Sequence, residues 1–117
     1  RFDEMAHNHP HDFTKTLKNI QLGRMWEVYE TRTAAKQLDA LPLEILKRYE
    51  KWKDVVRVSG PAGLRTIRGF NDEALAGEWD GHRSSRLNQQ YHVIYQIVRD
   101  TVCVQVVRVS AHDCRRK

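Results

Sequence analysis

From Tyr91 to Val109 the chain reads "YHVIYQIVRDTVCVQVVRV". Two runs rich in β-branched and aromatic residues flank the polar tip Arg99-Asp100-Thr101, the pattern of a β-hairpin. The spacing predicts strands over Tyr91 to Val98 and Val102 to Val109, with Tyr91, Val93, Tyr95 and Ile97 sharing a face. A run from Arg83 to Asn88 predicts a third strand just before them. An isolated hairpin is marginal in water, so an apolar one needs cover from elsewhere in the chain.

The upstream sequence offers that cover. "MWEVYET", starting at Met25, predicts a first strand with Trp26 and Val28 on one face and Glu27 on the other. Thr33 is placed to cap a helix whose Ala34, Ala35, Leu38 and Leu41 form one face. Pro42 ends that helix and suits the first turn of the next. There Ile45, Tyr49, Trp52 and Val56 trace the stripe of a helix buried on one side. "SGPAG" (Ser59 to Gly63) breaks the pattern, and Leu64, Ile67, Phe70 and Leu75 follow as core anchors. The expected class is α+β: an N-terminal strand and a two-helix hairpin packed on a small antiparallel sheet of about four strands. Helices would cover one face of that sheet and leave the other concave or solvent-facing.

Residues 25–117 read as this single domain, and residues 1–24 as an N-terminal extension with Phe13, Leu17 and Ile20 at helical spacing. The 117 residues allow one modest core, and 40% hydrophobic with 30% charged residues is globular composition, not that of a disordered chain. No apolar run is long enough to span a bilayer, and the polar N-terminus is unlike a secretory signal, so no membrane partner is expected. Cys103 and Cys114 are the only cysteines and have no CxxC spacing, which makes a reduced, cytoplasmic protein the expectation. His7, His9 and His11 alternate without cysteine or carboxylate partners at ligand spacing, so neither a metal site nor a cofactor is expected.

Charge is unevenly placed. Residues 1–81 hold thirteen Lys/Arg against thirteen Asp/Glu; residues 82–117 hold seven against two, which accounts for the whole +5. A basic C-terminal third suits a polyanion or an acidic protein partner, or simply a solvated face. Its cations accompany imidazoles: Arg83 and Arg86 on the predicted strand, His82 before it, His92 on the neighbouring strand and His112 after the last. Cutting RNA without a metal requires activating a ribose 2′-OH, stabilising a phosphorane and protonating the departing 5′-oxygen. Arginine suits the second task and imidazole the first or third. A plain salt bridge to a carboxylate is the competing reading for either arginine, and Arg83 and Arg86 fall at a spacing that alternates faces.

The C-terminal motif "LAGEWDGHRSSRLNQQYHVIYQIV…VQVVRVSAHDCRR" resembles the RelE/ParE superfamily of bacterial toxins, nearest the RelE and HigB type. Those toxins carry an arginine-bearing strand, then an aromatic-Arg-x-x-Tyr strand, and end in a basic tail with a His-Asp-Tyr-type motif. The similarity extends from Met25 to Lys117 and includes the helical hairpin and the "GP-GLR-I-GF" connection. It implies a ribosome-dependent mRNA endoribonuclease neutralised by a cognate antitoxin, which would also mediate any contact with operator DNA. ParE-like relatives share the fold but poison DNA gyrase, and a catalytically inactive antitoxin partner or corepressor is a third reading.

Carried over by position, Arg86 matches the family's catalytic arginine and His112 an acid/base histidine, with Arg83 beside them. His92 stands where relatives commonly have arginine, and Cys114 where they often have tyrosine. Both departures remove groups useful at a phosphate site, so an attenuated activity is implied. His82, Lys51, Lys53, Arg68, Arg115 and Arg116 complete the set as RNA-binding residues.

Overall fold

The structure, a computed structural model, describes residues 26–98 and 102–111. Strand β1 (Glu27–Glu30) leads into helices α1 (Arg32–Asp39) and α2 (Leu43–Arg65). After them come a 3₁₀ turn (Arg68–Phe70), strand β2 (Glu73–Ala74) and a second 3₁₀ turn (Gly77–Trp79). Strands β3 (Arg83–Arg86), β4 (His92–Val98) and β5 (Cys103–Ser110) close the sequence of elements.

The sheet has five strands in the order β1-β5-β4-β3-β2. Its four C-terminal strands are antiparallel neighbours, but β1 pairs with β5 in parallel, Glu27 opposite Cys103 and Glu30 opposite Val106. The expected antiparallel sheet of about four strands is therefore a mixed sheet of five. The parallel pair follows from topology, because the intervening helices carry the chain across the sheet before β5 returns beside β1. The additional strand, β2, has two residues, too few to show any alternation.

Thr31, not Thr33, caps α1. Its hydroxyl oxygen accepts from the Ala34 amide at 3.1 Å and donates to the Val107 carbonyl at 3.3 Å. The cap thus ties the helix start to β5 as well as satisfying an orphan amide. Pro42 occupies the N-cap position of α2, one residue before the first turn expected for it. The "SGPAG" segment interrupts α2 as expected: Gly60 has non-helical dihedrals, φ 72° and ψ -177°, and Pro61 starts a second helical segment. A side chain at Gly60 would also meet Trp26, whose Nε1 lies 2.7 Å from the position of a Cβ there.

Ile45, Tyr49, Trp52 and Val56 are all buried, as the helical stripe requires. They pack with Leu64, Phe70, Val93, Tyr95, Val104, Val106 and Val109 in one core between the helices and the sheet. Trp52 stacks on Tyr49 (5.7 Å) and meets Tyr95 edge-on (5.3 Å), each contact worth about 1 kcal/mol beyond area burial. Tyr91 packs against this core from the start of β4, whereas Ile97 at the far end is 38% exposed. A β-bulge at Ile94/Tyr95, with Val107 the extra residue of β5, shifts the register between β4 and β5. On the face away from the helices Leu75 and Ile94 form a small second cluster with Trp79 and Val107.

Candidate active site

Strand β3 divides its side chains between the two faces. Ser85 and Arg83 point to the helix side, where both meet Asp72: Arg83 Nε donates to Oδ1 at 2.7 Å and Ser85 Oγ to Oδ2 at 2.6 Å. Tyr95, opposite Arg83 in the ladder, donates its hydroxyl to the same Oδ2 at 2.6 Å. The Asp72 side chain is fully buried and Arg83 is 21% exposed. Burial works against the Arg83 charge, but the hydrogen bond and charge of Asp72 outweigh it and hold the guanidinium pKa above its ordinary value. Burial first, then the Asp72 charge, pushes the Tyr95 phenol far above the usual range.

Arg86 lies on the other face, in a row with His92 of β4 and Ser110 of β5. The next row is Ser84, Ile94 and Arg108, with Glu73 of β2 at its edge. Arg86 is half-buried, its Nε is out of reach of solvent and makes no hydrogen bond, and no carboxylate pairs with it among the described residues. A guanidinium held this way keeps its full charge available to an anion. His92 is 6% exposed. At the end of β3, Arg48 of α2 donates through Nε to the Leu87 carbonyl at 3.2 Å while covering the Phe70 ring at 4.5 Å, which pins the strand end.

The other expected site residues are more dispersed. His82 is half-buried just before β3, its ring edge-on to Trp79 at 5.3 Å and its Nδ1 3.4 Å from the Asp80 carbonyl. Lys51 and Lys53 belong to α2, in the layer covering the opposite face. Lys51 is exposed; Lys53 pairs with Glu50 at 3.2 Å and lies over the Tyr49 ring at 5.1 Å. Arg68 is exposed on the first 3₁₀ turn. His112, Cys114, Arg115 and Arg116 fall outside the described residues. No group of three or more His, Cys, Asp or Glu side chains is placed to hold a metal among the described residues, and no described helix is long and apolar enough to cross a membrane.

Sequence reasoning passed over Asp72, Glu73, Trp79 and Arg108. Only Arg108 left a signal, a cation interrupting the valines of "VQVVRV". Asp72 and Glu73 stood in an ambiguous stretch, and their neighbours come from strands distant in sequence.

No protein-family model matches the chain, and no curated protein matches it. Solved structures do. The YoeB–YefM complex from Staphylococcus aureus is similar over 75% of this chain and 98% of that one, with 12% identity and a TM-score of 0.60. The toxin–antitoxin complex RelBE2 from Mycobacterium tuberculosis covers 75% of this chain and 99% of its own, at 25% identity and a TM-score of 0.55. The chain has the fold of the RelE/ParE superfamily. An archaeal RelE–RelB complex from Pyrococcus horikoshii adds a third match, with 19% identity, 74% of this chain and 94% of that one covered, and a TM-score of 0.59. In this RelE-like fold the face of β3, β4 and β5 away from the helices carries Arg86, His92 and Arg108, and the helix face carries the Asp72 network. The former is not the solvent-facing surface expected, since Ser84, His92 and Ile94 on it are buried.

Proposed function

We propose that this chain is the toxin of a type II toxin–antitoxin pair, an endoribonuclease that cuts mRNA on the ribosome without a metal. The observation that carries this reading is Arg86, a half-buried guanidinium on the sheet face away from the helices, beside His92, with no carboxylate to neutralise it among the described residues. In the reaction a ribose 2′-oxygen attacks the adjacent phosphorus and the bond from phosphorus to the 5′-oxygen breaks. The products are a 2′,3′-cyclic phosphate and a 5′-hydroxyl. Arg86 stabilises the charge that develops on the phosphorane oxygens. Glu73, at the edge of the same face, can accept the 2′-OH proton, and His112 or His92 can return one to the leaving oxygen. Arg83 supports the site from behind by fixing β3 to Asp72.

The partners that follow are a cognate antitoxin, the translating ribosome with its mRNA, and operator DNA through the antitoxin alone. The site of action is then the cytoplasm. A groove of about 380 Å³ beside the bend in α2, lined by Val55, Val58, Gly63 and Ile67 with Lys51, offers an amphipathic antitoxin segment an apolar seat.

The test is primer extension on an mRNA incubated with purified ribosomes and the protein. New stops that need ribosomes, with 5′-hydroxyl ends on the downstream fragments, are expected. Intact mRNA together with inhibited gyrase supercoiling would replace this reading with a gyrase poison. Intact mRNA and normal gyrase would leave an inactive partner or corepressor.

A further inference from the structure

Trp79 has an unusual setting. The turn that carries it is closed by four backbone hydrogen bonds: Trp79 N to Ala76 O (3.2 Å), Asp80 N to Gly77 O (3.0 Å), His82 N to Trp79 O (3.0 Å) and Leu75 N to His82 O (2.9 Å). The indole packs on Leu75, Ile94 and Val107 on the sheet face away from the helices and is half-buried, so part of it remains accessible. Arg108 lies over its ring at 5.6 Å and the His82 ring meets it edge-on at 5.3 Å. No carboxylate pairs with Arg108 among the described residues. An aromatic ring with a guanidinium over it is one device by which proteins hold single-stranded nucleic acid.

We infer that Trp79, with Arg108 and His82, forms a stacking subsite for the base of a single-stranded RNA nucleotide neighbouring the phosphate held by Arg86. This rests on the ribonuclease reading and adds to it a residue that favours particular bases. The ladder register supports the placement. Arg108 stands two residues along β5 from Ser110, and Ser110 shares a row with His92 and Arg86. Two residues of strand advance about 7 Å, comparable to one step of an extended nucleotide chain. Local charge discriminates base from phosphate. Asp80, exposed beside Trp79, repels a phosphate but tolerates an uncharged base. Arg108, over the ring, can pair with the sugar–phosphate on its outer side. Because a purine offers a larger π-face than a pyrimidine, adenine should be preferred to uracil there.

The experiment is fluorescence anisotropy with the full chain and labelled 2′-O-methyl hexaadenylate or hexauridylate, which lack the hydroxyl that attacks. The wild-type chain should bind hexaadenylate more tightly. Trp79→Leu, which keeps apolar bulk under the turn, should weaken hexaadenylate binding about 10- to 100-fold and erase the difference between the two oligomers. Trp79→Phe, which keeps an aromatic face, should stay within a few-fold of wild type and retain the order. Hexaadenylate binding by folded Trp79→Leu equal to wild type, with the order kept, would overturn the subsite; so would failure of the wild-type chain to bind either oligomer. Ribosome-dependent cleavage, measured alongside, separates the two readings. Cleavage with no Trp79 effect removes the subsite alone, whereas a Trp79-dependent base preference without cleavage removes the ribonuclease reading and leaves the subsite.

Discussion

Arg83 and Asp72 form an ion pair at 2.7 Å whose carboxylate is fully buried, directly behind the strand that presents Arg86. The same carboxylate also accepts hydrogen bonds from Ser85 and Tyr95. Replacing it would strand three donors at once. Asp72→Ala should therefore lower the unfolding free energy by about 3 kcal/mol or more, and Asp72→Asn by less, since an amide oxygen can still accept. Urea unfolding monitored by circular dichroism checks this; a loss under about 1 kcal/mol for the alanine variant would show the network is not a structural anchor.

Tyr49 and Tyr95 give the fold an alkaline limit. Burial first, then Glu30 for Tyr49 and Asp72 for Tyr95, raise both phenol pKa values above the ordinary 10.0. Above pH 10 the unfolded chain loses these protons while the folded chain keeps them, so the unfolded state binds fewer protons and stability falls as pH rises. Each tyrosine contributes up to about 1.4 kcal/mol per pH unit to that slope. Tyr49→Phe should remove about half of it between pH 10 and 11.5. An unchanged slope in this variant would show that Tyr49 ionises normally in the folded state.

Gly60 should tolerate no side chain. Its φ of 72° with ψ near 180° is a region that only glycine populates readily, and Trp26 Nε1 occupies the space where a Cβ would go. Gly60→Ala should cost about 2 kcal/mol or more, read as a fall in the urea midpoint. A midpoint equal to wild type would mean that α2 can straighten there.

How much of this was legible depends on how local each signal was. The α2 stripe and the β4–β5 hairpin read correctly because their periodicity persists over several turns or residues. Thr31 and Thr33 are interchangeable as caps on paper, and the choice is made by the β5 carbonyl that Thr31 reaches. β2 was missed because two residues carry no alternation, and Asp72 because its three donors come from β3 and β4. The three-residue spacing of Arg83 and Arg86 already implied opposite faces, but only the partner, Asp72, tells which of them is neutralised.

His92 offers a gain-of-function test. It shares a row with Arg86, so on the proposed mechanism an arginine there would place a pH-independent charge beside the phosphate and should strengthen catalysis. His92→Arg combined with Cys114→Tyr should raise the ribosome-dependent cleavage rate by roughly 10-fold or more. Equal rates would mean that His92 serves the chemistry as it stands.

The most direct measurement is the rate of ribosome-dependent mRNA cleavage by Arg86→Ala, taken with its thermal unfolding curve. Arg86 makes no ion pair among the described residues, so its loss should leave the unfolding temperature within a few degrees of wild type. Cleavage should fall by at least about 100-fold, the scale on which a lost oxyanion partner slows a reaction. A folded Arg86→Ala that cuts mRNA at the wild-type rate would contradict the assignment of the sheet face carrying Arg86 as the active site.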